Sequence, residues 1–136
     1  MKKIILILVS LFSLLSLSAQ EENTPTEGKA LEVFEAESLI QKLESTERPY
    51  LPFLDKSSMK CGIYILKAGA EDKQQPHSLD EVYYVLEGAA MFTVEEEEIA
   101  IKEGDILFVK AHAEHRFHTI VSDLKLLVFF STETGE

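Results

Sequence analysis

The stretch that decides the fold is residues 69–88, Gly-Ala-Glu-Asp-Lys-Gln-Gln-Pro-His-Ser-Leu-Asp-Glu-Val-Tyr-Tyr-Val-Leu-Glu-Gly. It holds a histidine and a carboxylate four positions apart, His77 and Glu81, before an apolar strand that ends at Gly88. A second histidine, His115, comes 34 residues after Glu81. Two imidazoles and one carboxylate are a natural ligand set for a divalent transition metal. We therefore interpret the rest of the chain as the scaffold that brings these three side chains together.

His77 and Glu81 can share one ion only if the chain bends between them. In a continuous strand they would lie roughly 13 Å apart, at about 3.3 Å per residue. Ligand atoms lie within about 2.2 Å of a metal. Residues 78–80 contain Ser and Asp, which favour turns, so we expect the bend there. Glu81 then begins a strand and faces the interior together with Tyr83, and the loop 110–114 lets His115 point to the same place.

From residue 58 onward, short apolar strands are separated by turn signals at intervals of about 8 to 12 residues. No stretch there has a helical period, so an all-β barrel or two-sheet roll is the economical conclusion. Upstream, 36–46 has the apolar spacing of a helix, 31–34 is expected as a short strand, and 50–54 as an irregular segment. The expected strands of the barrel are 59–67, 81–87, 89–94, 99–102, 106–109, 115–121 and 124–131.

Several of these strands are apolar on both faces, so one face needs cover from outside the barrel. The N-terminal helix or a second subunit can supply it, and we predict a homodimer. On strand 59–67 we expect Met59, Cys61 and Ile63 to line the barrel with Val85 and Phe117. Cys61 is interpreted as a core residue, with a thiol ligand as the alternative.

The first 19 residues have the layout of a secretory signal peptide. Two lysines precede an apolar run, and small residues precede a cut after Ala19. The alternative is a membrane anchor, but the run has about 14 residues and a span needs about 20. We expect an exported protein, periplasmic or extracellular, that is free of the membrane after cleavage. The expected organisation is signal peptide 1–19, tether 20–30, strand and helix arm 31–57, barrel 58–131 and tail 132–136.

Charge and cysteine content narrow the partners. The mature chain would carry 11 basic and 24 acidic residues, a formal charge of −13. An acidic surface repels nucleic acid and anionic lipid, so we expect neither as a partner. Cys61 is the only cysteine, which excludes an internal disulfide.

The spacing of residues 69–88 resembles the first motif of the cupin superfamily. That motif runs Gly, five residues, His-x-His, three or four residues, Glu, six residues, Gly. Gly69, His77, Glu81 and Gly88 match it position by position. The one departure is Gln75, which stands in place of the first histidine.

A second motif of that family runs Gly, five residues, Pro-x-Gly, two residues, His, three residues, Asn. Gly104 and His115 keep its residue types and spacing, and fifteen residues separate the two motifs, as in small one-domain cupins. The resemblance covers about residues 58–131. It implies an all-β, double-stranded β-helix (jelly-roll) barrel with a short N-terminal helix. Three positions of the second motif differ, namely Lys110, His112 and Thr119.

The resemblance implies that His77, Glu81 and His115 bind one divalent metal ion, which could be Fe, Mn, Ni, Co or Zn. Gln75 stands at the fourth ligand position, where its amide oxygen would coordinate weakly or orient a metal-bound water. The three-residue set resembles that of non-haem Fe(II) oxygenases, which leave positions open for substrate and O₂.

Other polar candidates are weighed against ordinary structural roles. Tyr83 shares a face with Glu81 and is either an aromatic that lines the pocket or a donor or acid beside the ligands. His118 lies three residues from His115, so strand alternation turns it to the opposite face. We expect neither His118 nor His112 to be a ligand.

Two kinds of function follow from the resemblance. The first is a metal-dependent enzyme acting on a small organic molecule, dioxygenase-like or an isomerase or lyase. The alternative is a non-catalytic module that binds a metal or a small ligand, and a purely structural barrel is a third possibility. The apolar inward face favours an aromatic or apolar ligand. No acid–base pair is visible beyond Glu81, which argues against chemistry that needs two independent protonic groups.

Overall fold

Eight strands and one short helix follow one another in residues 29–132, the part of the chain that the computed structural model describes. The predicted signal peptide, residues 20–28 of the tether and residues 133–136 of the tail lie outside it. One compact unit begins at Val33. The elements are α1 (Ala36–Glu44), β1 (Tyr50–Asp55), β2 (Met59–Leu66), β3 (Glu81–Glu87), β4 (Ala89–Val94), β5 (Glu97–Lys102), β6 (Ile106–Val109), β7 (His115–His118) and β8 (Leu124–Ser131).

The strands form two antiparallel sheets. One has five strands in the order β1-β2-β8-β3-β6, and the other has three in the order β5-β4-β7. Tyr83 and Val85 of the first sheet and Phe92 and Phe117 of the second share one core, and none of the four is more than 2% exposed. This confirms the all-β, jelly-roll class and the inward positions of Val85 and Phe117.

Strand β2 faces the opposite way from our expectation. Tyr64 and Leu66 belong to the core between the sheets, whereas Ile63 packs with Ile40 of α1 on the outer face. Cys61 is buried as predicted, but it alternates with Tyr64 and so shares the face of Ile63. Both faces of β2 are apolar, so the alternation alone could not tell which one points inward. Met59, also expected in the barrel, is 45% exposed.

Helix α1 covers part of this outer face, as expected. Ile40 and Leu43 lie three positions apart, which places both on one side of the helix, and both are buried. Lys125 on β8 forms an ion pair with the last residue of the helix, since its Nζ lies 3.4 Å from Glu44 Oε1. It also lies 2.9 Å from Glu87 Oε2 on β3. The lysine side chain is only 16% exposed.

Two expectations near the N-terminus were wrong. Residues 31–34 form no strand. Tyr50–Asp55, expected as irregular, is strand β1, which pairs with β2 and shifts register between Pro52 and Leu54. It lies at the edge of the sheet, where a proline costs no ladder hydrogen bond and a bulge is tolerated.

The other strands lie where the sequence predicts them, with small differences at the ends. Strand β5 begins two residues early, at Glu97, and β7 ends at His118 instead of residue 121. Strand β2 ends at Leu66, one residue early. Among residues 29–132, no helix has the length and apolar character needed to cross a membrane.

Candidate metal centre

The three predicted ligands come from three parts of the fold and meet at one point. His77 lies in the loop before β3, Glu81 is the first residue of β3, and His115 is the first residue of β7. The side chains of Glu81 and His115 are 3% and 1% exposed, and that of His77 is 32% exposed. The site is therefore buried on two sides and open at His77.

The predicted bend between His77 and Glu81 is present at residues 78–79. Asp80 holds it in place. Its carboxylate accepts a hydrogen bond from the Ala111 N–H (2.8 Å), and its carbonyl accepts one from the Ser131 N–H (2.9 Å). The bend is thus attached both to the end of β8 and to the loop before His115, so the two halves of the site are positioned together.

The ligand atoms have the spacing of a coordination site. Glu81 Oε2 lies 3.0 Å from His77 Nδ1 and 3.2 Å from His115 Nε2. One candidate ligand atom from each of the three residues lies within 4.8 Å of the other two. Donors at neighbouring positions of an ion with bonds of about 2.1 Å lie roughly 3 Å apart. The three residues therefore fit a divalent transition metal in spacing and in chemistry.

Hydrogen bonds to the surrounding backbone orient His115 for metal binding. Its Nδ1 lies 2.8 Å from the Ala113 carbonyl oxygen. A carbonyl can only accept, so Nδ1 carries a hydrogen, and Nε2 is the ring atom that faces Glu81 and can hold either a proton or a metal. The exposed His112, expected as a non-ligand, contributes through its backbone, since its N–H donates to the His77 carbonyl at 2.7 Å.

The cluster keeps its carboxylate ionised although it is buried. Burial by itself raises the pKa of Glu81, but the hydrogen bonds with His115 and His77 outweigh it and lower that pKa. For His115, burial lowers the pKa, whereas the hydrogen bonds with Glu81 and the Ala113 carbonyl raise it overall. An ionised carboxylate between two imidazoles requires a cation, either a proton or a metal.

Asp72 was not singled out in the sequence, and it connects the two sheets beside the site. Its Oδ1 accepts the hydroxyl hydrogen of Tyr64 on β2 (2.7 Å), and its Oδ2 accepts the backbone N–H of Phe117 on β7 (2.8 Å). It also accepts both the backbone N–H (3.1 Å) and the side-chain amide hydrogen (2.7 Å) of Gln74. The Asp-x-Gln spacing is typical of a local turn, but spacing does not identify the partners on other strands.

Gln74 links Asp72 to the ligands through Tyr83. Because its nitrogen is bonded to Asp72, its Oε1 is free to accept the Tyr83 hydroxyl hydrogen at 2.9 Å. The Tyr83 oxygen lies 3.2 Å from His115 Nε2. Tyr83 is therefore both a buried core aromatic and a donor beside the ligands, which are the two roles between which the sequence could not decide.

The remaining polar candidates lie away from the cluster. Gln75 is exposed, and its amide nitrogen lies 3.5 Å from the Lys73 carbonyl oxygen. Coordination by Gln75 stays a prediction. His118 Nε2 contacts Thr93 Oγ1 (2.9 Å) and Glu98 Oε2 (3.1 Å).

A cavity of about 390 Å³ opens beside the ligands, and His77, Glu81 and Tyr83 form part of its wall. Its size is at the lower end of the range for small-molecule sites, about 300–1,000 Å³. The polar side chains of Glu71, Lys73 and Gln74 also reach it. The rest of the wall is apolar or aromatic: Pro49, Tyr50, Tyr64, Leu66, Val128 and Phe130.

Residues 62–130 match the model of the Cupin domain family (Cupin_2), and the chain belongs to that family. An uncharacterized protein of Streptomyces coelicolor, SCO3923, is 39% identical over 101 residues, which cover 74% of this chain and 96% of that protein. The family match lies inside the stretch 58–131 that carries the resemblance to the two motifs.

Solved structures show the same fold. TT1209 from Thermus thermophilus has a TM-score of 0.60 and 28% identity, covering 74% of this chain and 97% of that one. The DMSP lyase DddQ from Ruegeria pomeroyi has a TM-score of 0.58 and 19% identity, and the match covers 64% of this chain but only 48% of the lyase. KdgF from Halomonas sp. has a TM-score of 0.56 and 20% identity, covering 62% of this chain and 77% of that one.

Proposed function

We propose that this protein is an exported cupin that holds one divalent transition metal and acts on a small organic molecule bound beside it. The observation that carries the proposal is that His77 and His115 both meet Glu81, at 3.0 and 3.2 Å, and that His77 and Glu81 lie on the wall of a largely apolar cavity. Fe, Mn, Ni, Co and Zn all accept this ligand set. Three protein ligands leave positions for a substrate, as catalytic metal sites do.

A metal bound here would supply Lewis acidity or, as iron, activation of O₂. The chain's own residues bind and orient the substrate. Tyr50, Tyr64 and Phe130 offer aromatic surface to an apolar body and exclude water. Lys73 offers a cation at the exposed side of the cavity, so the favoured substrate is a small, partly apolar molecule with oxygen atoms that can chelate.

Tyr83 supplies a fixed hydroxyl beside the ligands. Burial, followed by the nearby Glu81 carboxylate, raises the pKa of Tyr83 far above its ordinary value. The hydroxyl therefore stays protonated, and Gln74 accepts its hydrogen. Within residues 29–132, Glu81 is the carboxylate that contacts both imidazoles, and it would serve the metal; this supports dioxygenase-like chemistry ahead of an isomerase or lyase that needs a base beside the ligands.

A non-catalytic binding module is the second candidate, and the pairing of the cavity's polar groups favours it. The hydroxyl of Tyr64 is bonded to Asp72, and that of Tyr83 to Gln74. Hydroxyls engaged in this way hold a ligand in place more readily than they transfer protons.

One experiment tests both candidates. The chain from residue 20 is purified without oxygen and reconstituted with Fe²⁺ or Mn²⁺, and its metal content is measured. We expect about one metal per chain, retained in His118→Ala and lost in His77→Ala and His115→Ala. Sub-stoichiometric metal in the parent would refute the metal site. Metal without O₂ uptake or product across a metabolite panel would select the binding module.

We also propose that the exposed outer face of β3 and β6 joins two copies of the chain. Ile106 and Phe108 are 71% and 65% exposed, and Tyr84, which is paired with Ile106, is 38% exposed. A chain of net charge −11 repels its copies except where a surface carries no charge. Phe108→Glu should convert a dimer to a monomer in analytical ultracentrifugation, whereas Ile99→Glu on the other sheet should not. A monomeric parent would overturn this proposal.

Export is proposed from the first 19 residues of the sequence alone. The test is mass spectrometry of the protein expressed from its full-length gene in a Gram-negative host. A mature N-terminus at Gln20 in the periplasm or medium would support export, and retention of Met1 in the cytoplasm would refute it.

A further inference from the structure

The ring of Tyr50 lies directly on the backbone of β2 at Gly62. A Cβ atom added to Gly62 would lie 2.3 Å from each of three side-chain atoms of Tyr50, the ring atoms Cε2 and Cζ and the hydroxyl oxygen Oη. Tyr50 is paired with Tyr64 across the β1–β2 ladder, so its ring leans toward the next inward-facing position of β2. Only glycine at position 62 leaves this space, because any other residue would displace the ring.

This ring stands between two cavities. The inner one, about 390 Å³, is lined by the predicted ligand Glu81 and by Tyr83 beside it. The outer one, about 490 Å³, lies between β1 and the loop before β3. Tyr50, His77 and Phe130 line both cavities, so these three rings form the wall between them.

Tyr50 is the ring in this wall with the fewest constraints. His77 is bonded to Glu81, and its ring packs edge-on against Phe130 with centroids 5.0 Å apart. Phe130 lies on β8, which has a partner strand on each side. Tyr50 comes from the edge strand β1 and is half-buried. A change at Tyr50 therefore alters the wall without altering the ligands.

We propose that Tyr50 determines which ligands the site accepts, by closing the inner cavity against the outer one. The outer cavity is a second binding site for an apolar extension of a ligand whose oxygen-bearing head lies at the metal centre. Its wall is apolar at Pro52, Leu54 and Leu79, and the two charged residues that also line it, Asp55 and Lys60, pair with each other at 3.6 Å. This inference rests on the proposed metal-dependent function, since the head is placed by the metal.

The test uses chelating probes with one head and tails of different length: acetohydroxamate, benzohydroxamate and biphenyl-4-hydroxamate. Dissociation constants are measured on the Co²⁺-loaded chain by visible absorption. Tyr50→Ala should tighten the biphenyl probe by about tenfold or more while changing acetohydroxamate by less than about twofold. Tyr50→Phe keeps the ring and should behave as the parent.

Gly62→Ala provides a second route to the same change, because the added methyl group displaces the ring without removing it. It should raise the ratio of biphenyl to acetohydroxamate affinity in the same direction as Tyr50→Ala. Thermal melting shows whether Gly62→Ala is folded. If it is not folded, the proposal is tested by the probe affinities of Tyr50→Ala alone.

Failure of the proposed metal centre and failure of the proposed role of Tyr50 give different results. Failure of the metal centre appears as absent Co²⁺ absorption in the parent. The comparison of short-tailed and long-tailed probes is therefore repeated on the metal-free chain, with benzoate and biphenyl-4-carboxylate, using ligand-observed NMR. An equal ratio of long-probe to short-probe affinity in Tyr50→Ala and the parent would overturn the role of Tyr50, whatever the metal result.

Discussion

Substituting alanine for Gly88 should destabilise the protein far more than the same change at Gly104. Both glycines have positive φ, +93° and +89°, so an alanine at either position carries a backbone strain of about 1–2 kcal/mol. At Gly104 the added Cβ would meet no atom within 4 Å. At Gly88 it would lie 2.4 Å from the Asp123 carbonyl oxygen and 3.0 Å from Leu124 Cα.

The overlap at Gly88 is with backbone at the start of the buried strand β8, which cannot move aside as a surface side chain can. Overpacking of this kind costs about 1–3 kcal/mol in addition to the strain. We therefore expect a loss of about 2–5 kcal/mol for Gly88→Ala and about 1–2 kcal/mol for Gly104→Ala. The larger loss is a substantial part of a typical domain stability of about 5–15 kcal/mol.

Urea unfolding followed by circular dichroism measures both losses. Gly69→Ala is a second control, since Gly69 also has positive φ (+74°) and an added Cβ would meet nothing within 4 Å. All three glycines belong to the motif pattern and have positive φ, so these two features alone predict three similar effects. Losses of unfolding free energy in Gly88→Ala and Gly104→Ala that agree to within about 0.5 kcal/mol would refute the steric overlap at Gly88.

Three further predictions concern the loop, the helix and the pH dependence. Gln74→Leu removes the acceptor of the Tyr83 hydroxyl, so it should weaken acetohydroxamate binding to the Co²⁺ protein while the metal content stays the same. His118→Ala, which lies away from the cluster, should change neither quantity, and equal effects of the two variants would be evidence against this role of Gln74. Lys125→Met leaves the carboxylates of Glu44 and Glu87 without their shared cation, so it should lower the free energy of unfolding in urea by about 1–2 kcal/mol. A decrease below about 0.5 kcal/mol would contradict this prediction. The hydrogen bond from Lys67 lowers the pKa of Asp123, so its stabilisation is present above pH of about 4 and is lost as the pH falls through the lowered value. Asp123→Asn should therefore destabilise the chain at pH 7, with a difference from the parent that shrinks in acid; a pH-independent difference would exclude the charge as its cause.

The convergence of His77, Glu81 and His115 could be predicted from the sequence because their chemistry and spacing are unusual together. His77, Glu81 and His115 follow turns and begin or precede strands, and the geometry of a strand requires a bend at 78–80. Each of these features is local, or depends on one loop that brings strand ends together. The structure brings one candidate ligand atom from each of the three side chains to within 4.8 Å of the others.

Two features could not be predicted from the sequence, for the same physical reason. They are which face of β2 points into the core and which of the two neighbouring glutamines points into the site. Ile63 and Tyr64 are both apolar enough for a core, so alternation gives two equivalent assignments. Gln74 and Gln75 are identical neighbours in a loop without regular alternation. Only the hydrogen bonds of Asp72 to the two sheets decide that Gln74 points inward, and those partners are distant in sequence.

In the loop before β3, side chains held by hydrogen bonds to the core alternate with exposed side chains. Asp72 and Gln74 are held by hydrogen bonds, whereas Glu71, Lys73 and Gln75 are exposed. Glu71 and Lys73 nevertheless line the cavity. The charge at its mouth can therefore be redesigned, for example by exchanging these two residues, while the anchors preserve the fold and the ligands. The loop separates the part of the site that evolution or an engineer can vary from the part that must remain constant.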